Sequence, residues 1–333
     1  MKKSSIFTTA ITLSLSAAMA FGLVAHAQST GNTGGQALEI APPVITLSVD
    51  PGQVVTAKIS LRDVSNGKLF VTNQINDFVA AGEDGTPKIL LDTNEKSAYS
   101  MKDWISPLSN LTLNPKQIQS LPITIKVPSN ASPGGYYAVI RFTATPPELK
   151  DTGVSLSASL GALLLVRVKG VAKENLTVKE FVVQSAGKTG WLFESTPLQF
   201  VERLENKGNT HEQPAGQVTI TDMFGKKVAK VNINLPPRDI LPQSIRKFNQ
   251  PLDSTVIGDR ILFGLYTAQM RVVYGDSKSV ITSSLTFWVI PWRLILLIIL
   301  LLVGGFVALF YGIRRYNRHI VDRALQSKKH KRR

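Results

Sequence analysis

The feature that most constrains this chain is a run of 20 residues without a charged side chain near its C-terminal end, from Leu294 to Ile313. At about 1.5 Å per residue, a helix of this length spans the roughly 30 Å hydrocarbon core of a bilayer. The run lacks the polar face that a buried helix of a soluble protein normally has. Trp292 and Tyr316 flank it, as aromatic residues do at membrane interfaces. The sequence therefore predicts one transmembrane helix at 294–313.

The segment that follows the predicted span is strongly basic. Residues 314–333 contain nine Lys or Arg residues and one Asp, which is about half of the net charge of +15. The rest of the chain is only mildly basic, so we predict no nucleic-acid partner. Cationic residues beside a span stay in the cytoplasm, which predicts a cytoplasmic tail at 314–333 and a single-pass type I protein with its ectodomain outside the cell.

The N-terminal end has the pattern of a secretory signal peptide. Residues 1–27 begin with two lysines, continue with an apolar stretch and end with an Ala-His-Ala triplet at Ala27. This order of regions predicts cleavage before Gln28. The alternative is an uncleaved N-terminal anchor helix. Residues 28–37 are rich in Gly, Ser, Thr, Asn and Gln, and we assign them to a linker.

Between these ends, apolar and polar residues alternate with a period of two, which is the pattern of half-buried strands. The clearest runs are Val55–Leu61, Leu121–Val127 and Leu156–Val168. Turn signals rich in Gly, Pro, Asn and Asp separate them. The predicted fold class is all-β: tandem immunoglobulin-like β-sandwich domains, at 38–172 and 173–290, plus one C-terminal transmembrane α-helix.

One internal similarity relates the two predicted domains. Residues 134–142 and 264–272 both read G-x-Y-x-A, two residues, Arg and an apolar residue. We expect equivalent strands, with Tyr and Ala facing the core and Arg141 or Arg271 on the other face. A tyrosine near the start of such a strand often donates a hydrogen bond back to the backbone.

The residue inventory argues against an enzyme. The chain has no cysteine, so disulfides and thiolate chemistry are excluded. Of its four histidines only His211 lies in the predicted ectodomain, in a loop whose composition favours a solvated side chain over a catalytic base. We therefore predict no metal, no cofactor and no catalytic residue.

Carboxylate chemistry is the remaining enzymatic alternative, because a glycosidase needs only two acidic residues. The candidates by residue type are Asp77, Glu83, Asp84, Asp92 and Asp103. Nothing in their spacing pairs them, and Glu83-Asp84-Gly85 favours a solvated tight turn.

Exposed aromatic residues are the usual anchors of a binding protein. Two tryptophans lie in the ectodomain away from the span. Trp104, next to a predicted strand pair, is expected in the core. Trp191, in a glycine-rich stretch, is left open between burial and exposure.

Several segments resemble the WxL-interacting surface proteins, which are membrane-anchored proteins of Gram-positive bacteria and their relatives. In the first predicted domain the similar segments are Leu47–Gly52, Asp84–Pro87, Ser100–Ile105, Val127–Tyr137, Leu160–Gly161 and Val166–Gly170. In the second they are Arg203–His211 and Phe224–Lys226, and Val289–Trp292 resembles the entry into the anchor.

The resemblance implies that the first domain binds cell-wall peptidoglycan and that the protein holds other surface proteins. It transfers no binding residue, because the shared segments are mainly turns and core positions. We therefore predict a membrane-anchored cell-surface scaffold whose partners are peptidoglycan, surface proteins or both. The alternatives are a carboxylate-based cell-wall hydrolase and a sensor or assembly factor that acts through its basic tail.

Overall fold

A computed structural model describes residues 38–92, 95–145, 158–258 and 260–330. The predicted signal peptide and linker lie outside these residues. The strands are β1 (Leu38–Ala41), β2 (Val44–Val49), β3 (Val54–Asp63), β4 (Leu69–Ala81), β5 (Thr86–Leu90), β6 (Leu111–Leu113), β7 (Ile118–Lys126), β8 (Gly134–Thr145), β9 (Ala158–Val168), β10 (Leu176–Ser185), β11 (Lys188–Thr189), β12 (Leu192–Phe193), β13 (Leu198–Asn206), β14 (Ala215–Asp222), β15 (Lys227–Ile233), β16 (Ser244–Leu252), β17 (Gly264–Tyr274) and β18 (Ser279–Val289). A 3₁₀ turn lies at Lys102–Trp104, and the helices are α1 (Ser254–Ile257) and α2 (Trp292–His330).

The first sandwich consists of β1 to β9. One sheet has the order β1-β3-β7, and the other has the order β2-β9-β8-β4-β5 with β6 on β4. Pro42 and Pro43 separate β1 from β2, because proline cannot donate to a ladder. The chain therefore changes sheets there: β1 pairs antiparallel with β3, and β2 pairs parallel with β9.

The larger sheet of the first sandwich is apolar on both faces. Its inner face contributes Ala138, Ile140, Phe142, Leu164 and Val166 to a core completed by Ile59, Leu61, Ile123 and Ile125 of the smaller sheet. Its outer face carries a second cluster of Phe78, Tyr137, Val139 and Leu165. Leu241 of the second sandwich packs against this outer cluster. The outer face is therefore where the two sandwiches meet.

The second sandwich consists of β10 to β18. Its sheets have the orders β11-β10-β13-β16 and β12-β18-β17-β14-β15. The core between them includes Phe200, Ile220, Met270 and Phe287. Together the two sandwiches and the C-terminal helix confirm the predicted fold class.

The two G-x-Y-x-A segments lie on equivalent strands, as expected, but only Tyr266 is buried in a core and Tyr136 is partly exposed. They begin β8 and β17, and each opens on a glycine with a positive φ. The Tyr136 hydroxyl donates to the Ser132 carbonyl at 3.1 Å, and the Tyr266 hydroxyl donates to the Phe263 carbonyl at 3.3 Å.

The C-terminal helix α2 is long and apolar enough to cross a membrane within Trp292–Arg318, and the mean hydropathy of the most apolar 18 residues there is 3.0. This stretch contains the predicted span at 294–313. None of it is buried against the rest of the protein. The helix continues into the basic tail as far as His330.

Candidate binding cleft between the two sandwiches

The turn between β4 and β5 reaches from the first sandwich to the second. Arg203 on β13 donates to the Glu83 carboxylate, and the Lys247 amide on β16 donates to the Glu83 carbonyl at 2.7 Å. The Arg246 guanidinium donates to the Asp84 carbonyl at 3.1 Å. The Arg203 guanidinium lowers the pKa of Glu83. The hairpin is therefore held by both its backbone and its side chains.

A second set of contacts joins the start of β8 to the loop after β13. The Gly135 amide donates to the Asn209 carbonyl at 2.8 Å, and the Asn209 side-chain amide donates to the Pro133 carbonyl at 2.9 Å. These bonds satisfy backbone groups of both sandwiches, so the orientation of the two is specified at a second point.

An ion-pair network forms a third contact. Arg167 at the end of β9 pairs with Glu174 in the linking segment and with Asp276, 2.9 Å away, in the β17–β18 turn. Burial alone would raise the pKa of Glu174. The Arg167 guanidinium and the hydrogen bonds from Ser277 outweigh it and lower that pKa to about 2.

His211 lies inside this interface, so the expectation of a solvated loop histidine is wrong. Its side chain is 7% exposed, and Nδ1 lies 3.3 Å from the Tyr137 hydroxyl. Burial, followed by the charge of Arg167, lowers the pKa of His211 to about 4. The imidazole is therefore neutral at physiological pH and serves as a packed, hydrogen-bonded link between the sandwiches. Neighbouring polar residues in its loop hid this role from composition-based reasoning.

Two acidic residues of the second sandwich also lie at the interface. Burial, followed by the charge of Glu174, raises the pKa of Glu212 to about 7. Burial likewise raises the pKa of Asp239. Both carboxyl groups border the cleft described next.

Two adjoining cavities form a cleft between the sandwiches. The first, of about 420 Å³, is lined by Val44, Thr46, Phe78, Gly85, Pro87, Leu163, Leu165, Gln213, Pro237, Arg238, Asp239, Leu241 and Arg246. The second, of about 490 Å³, is lined by Thr46, Leu47, Ser48, Arg167, His211, Glu212, Gln213, Asp239, Gly275, Asp276 and Lys278. They share Thr46, Gln213 and Asp239, so they form one groove along β2. One end of it has an apolar floor and a charged rim, and the other end is polar.

The strand β2 borders this groove with a free edge. In the described part of the chain β2 pairs with β9 alone. The Pro43 carbonyl accepts from the Leu163 amide of β9, and the Val49 carbonyl accepts from the Lys169 amide directly after β9. Residues of a parallel strand alternate in the neighbour they bond. The odd-numbered residues therefore bond β9, and Val44, Thr46 and Ser48 direct their N–H and C=O groups to the open side.

The acidic residues singled out from the sequence have structural partners. Asp77 is buried and accepts from the Ser97 amide at 3.0 Å, and Asp103 pairs with Lys96 at 2.6 Å. Glu83 and Asp84 do lie in a tight turn, as predicted, but Glu83 binds Arg203 instead of being solvated. Asp92 is exposed. Among the described residues there is no group of three His, Asp or Glu residues that could hold a metal ion.

The two tryptophans differ in their surroundings. Trp104 is only partly buried and lies against Tyr136, with ring centroids 4.4 Å apart, so the expected core position is not observed. Trp191 is 67% exposed, which settles the open alternative.

Sequence reasoning missed the cleft itself. The Pro42-Pro43 pair signals the change of sheet that leaves β2 at an edge, but the second wall comes from loops more than 160 residues further along the chain. No local pattern reports such a pairing.

No protein-family model matches the sequence, and no curated protein sequence matches it. Among solved structures, the YadV chaperone is 15% identical over 76% of this chain and 100% of its own, with a TM-score of 0.34. A chain from the Salmonella enterica SafA pilin–SafB chaperone complex is 14% identical over 76% of this chain and 96% of its own, with a TM-score of 0.36. A PapD-like domain of human CEP192 is 16% identical over 40% of this chain and 87% of its own, with a TM-score of 0.27. Likeness at this level carries no functional conclusion.

Proposed function

We propose that this protein is a membrane-anchored cell-surface binding protein that holds an extended segment of another surface protein in the cleft between its sandwiches. The observation that carries the proposal is the free edge of β2 inside that cleft. The apolar part of α2 supplies the anchor, and the basic residues after it favour an ectodomain outside the cell.

The open edge of β2 supplies main-chain recognition. Val44, Thr46 and Ser48 offer N–H and C=O groups to a strand laid beside them, which is the β-augmentation mode of peptide binding. Exposed edges are normally covered, because they template unwanted pairing. Here the second sandwich walls the groove beside the edge, which favours one added strand over pairing with another sheet.

The walls of the groove supply side-chain selectivity. Leu163 and Leu241 are partly buried around the outer apolar cluster and suit an apolar side chain of the bound segment. Arg238 and Arg246 stand on the rim and suit an acidic one. The preferred ligand is therefore an extended, apolar segment with a nearby carboxylate.

Photo-crosslinking in intact cells tests this proposal. A crosslinking side chain at Ser48 of the full chain is expected to capture one surface protein through one extended segment, mapped by mass spectrometry. The same group at Asn232, exposed on β15 away from the cleft, is the control. Crosslinks of equal yield at both positions would contradict cleft binding.

A substitution at Thr46 separates main-chain from side-chain recognition. Thr46→Pro removes one open-edge donor without breaking a bond to β9, and we expect it to weaken binding of the captured segment roughly fivefold or more. Thr46→Val keeps the donor and should bind like the natural chain. Isothermal titration with the mapped peptide measures both.

Peptidoglycan, which the family resemblance implies, is the alternative ligand. The partly exposed Trp104–Tyr136 pair offers an aromatic surface on the first sandwich that could stack on a sugar ring. If purified walls sediment the full chain, and Trp104→Ala abolishes this while Thr46→Pro does not, the wall polymer is the ligand.

The remaining alternatives have their own tests. A wall hydrolase would clear a zymogram and lose that activity in Glu212→Gln, because a carboxyl with a pKa near 7 suits a general acid. A sensor would lose function on removal of residues 314–333 with export and insertion intact. We expect neither result.

A further inference from the structure

The end of the second sandwich from which α2 departs carries a cluster of exposed apolar side chains. β18 ends at Val289 and α2 begins at Trp292, so two residues separate the sheet from the helix. We propose that this end, termed the anchor-side end, seats directly on the lipid surface that α2 enters. The proposal rests on the membrane anchoring proposed above and adds a second contact with the same bilayer.

Strand register places four loops at the anchor-side end. Gly264, at the start of β17, lies opposite Val289, and Asp222, at the end of β14, lies opposite Tyr266. β12 runs parallel to the end of β18, with Leu192 beside Trp288. The loops are therefore 190–197, 223–226, 260–263 and 290–291, in addition to the β10–β11 turn at 186–187.

These loops expose large apolar side chains. Ile261 is 87% exposed, Phe224 is 85% exposed and Trp191 is 67% exposed. The other exposed members are Leu192, Met223, Phe263, Trp288 and Trp292. Scattered single exposures are normal on a soluble protein, but eight on three of these loops and on the adjoining ends of β18 and α2 indicate an interaction surface.

The charged residues at this end suit a headgroup layer. Lys188, Lys226, Lys227 and Arg260 are exposed there. Three acidic side chains in the described part of this end are engaged locally: Asp222 accepts from the Phe224 and Lys226 amides, Asp253 caps α1, and Glu194 pairs with Arg293 at 3.4 Å. Apolar tips with exposed cations are the composition of segments that lie in a membrane interface.

The short connection between this end of the second sandwich and α2 favours a lipid surface over another partner. The Trp288 amide donates to the Trp191 carbonyl and the Ile290 amide donates to the Phe193 carbonyl, so β12 follows β18 almost to the helix. The Glu194–Arg293 pair fixes the first turn of α2 to the same segment. The chain from Val289 to Trp292 covers at most about 10 Å. This is close to the thickness of the headgroup layer on each side of the hydrocarbon, which is about 5–8 Å. The aromatic residues of these loops therefore lie at the depth of the interface.

The absence of cysteine from the sequence permits a direct test with the full chain. Single variants Phe224→Cys and Ile261→Cys carry an environment-sensitive fluorophore after reconstitution into phosphatidylcholine–phosphatidylglycerol vesicles. Lipids with a spin label near the glycerol end of the acyl chain should quench both about twofold or more, with a blue-shifted emission. Leu235→Cys is the matched control, since Leu235 is 71% exposed but lies beyond the opposite end of β15.

A fourth variant separates failure of docking from failure of anchoring. A probe at Leu301→Cys, within the apolar part of α2, should be quenched by lipids labelled near the chain terminus. If Leu301→Cys is quenched but the probes at 224 and 261 behave like the probe at 235, docking is overturned and the anchor stands. If Leu301→Cys is not quenched, anchoring and docking both fall. Equal quenching at 224, 261 and 235 also overturns end-on docking.

Discussion

Glu202 shows how strongly one side chain can depend on its surroundings. It lies on β13 between Phe200 and Leu204, faces the core of the second sandwich and is fully buried. Neither carboxyl oxygen meets a hydrogen-bond partner from another described residue. Burial raises the pKa of Glu202 from 4.5 to about 8, so the group is mainly neutral at pH 7.

The Glu202 pKa predicts a decline of stability with rising pH. Because the folded pKa lies above the unfolded one, the contribution of this group is complete below pH 4.5 and is lost as the pH rises through about 8. We expect the free energy of unfolding of Glu202→Gln to fall less over this range, by roughly 3–5 kcal/mol. Denaturant titrations in detergent between pH 5 and 9 measure the difference.

Titrating groups at the interface between the sandwiches also contribute to the pH dependence of stability. Glu212, with a pKa raised to about 7, acts with the same sign, so Glu202→Gln should reduce the decline and not abolish it. His211, with a pKa lowered to about 4, instead destabilises the protein as the pH falls below 6.5. If the free energy of unfolding declined equally in Glu202→Gln and the natural chain above pH 6, the raised pKa of Glu202 would be contradicted.

Tyr136 and Tyr137, near the start of β8, allow a matched comparison of two hydrogen bonds. Tyr137→Phe leaves the buried His211 Nδ1 without its partner and should cost about 1–3 kcal/mol of unfolding free energy. Tyr136→Phe removes a more exposed hydrogen bond to the Ser132 carbonyl and should cost less than about 1 kcal/mol. Chemical denaturation compares them, and equal costs would argue against a structural role for the Tyr137–His211 link.

The sequence alone predicts which residues share a face of a strand, but not how deeply that face is buried. The period-two pattern places Glu202 with Phe200 and Leu204, and a carboxylate there would ordinarily mark the solvent side. His211 fails in the same sense, because its polar neighbours suggest solvent while a distant strand covers it. Both outcomes depend on contacts between segments far apart in sequence.

Among the elements, the β4–β5 turn most clearly combines a local and a long-range requirement. Gly85 has φ +80°, a conformation that favours glycine, and a Cβ there would overlap the Arg246 guanidinium. Gly225 has nearly the same φ, +79°, with no atom within 4 Å of an added Cβ. The two glycines therefore separate backbone strain from loss of the interface.

We expect Gly225→Ala to cost about 1–2 kcal/mol through backbone strain. Gly85→Ala should cost about 1–2 kcal/mol more, because Arg246 must leave the Asp84 and Asp239 carbonyls. Hydrogen exchange of the Lys247 amide, which donates to Glu83, should accelerate only in Gly85→Ala. Equal exchange in both variants would mean that the turn does not hold the second sandwich.

Elements with a strong local pattern are predictable from the sequence. Ala57, Ile59 and Leu61 are buried as their alternation indicates, and the turn at Glu83–Gly85 forms as expected. The two-residue strands β11 and β12 carry no such pattern. They exist because neighbouring strands offer an edge, which is a property of the sheet and not of their own residues.

For the whole molecule, the sequence predicts the order of parts but not the angle between them. The charge-free run and the period-two segments identify a helix and two sandwiches from local composition. The cleft, by contrast, depends on how the outer face of the larger sheet meets the His211 and Asp239 loops. The residues that fix this meeting, including Asn209 and Arg203, look like ordinary loop and strand residues in the sequence.

The contacts across the interface predict that the two sandwiches move as one body. Spin labels at Ser120→Cys on β7 and Lys230→Cys on β15, both exposed, should give a single narrow distance distribution in the full chain. Arg203→Ala removes the pairs with both Glu83 and Glu180 and should broaden it. Lys179→Ala, whose pair with Glu205 stays within the second sandwich, is the control and should leave it narrow. A broad distribution in the natural chain would mean that the cleft opens and closes, and binding along β2 would then require closure around the segment.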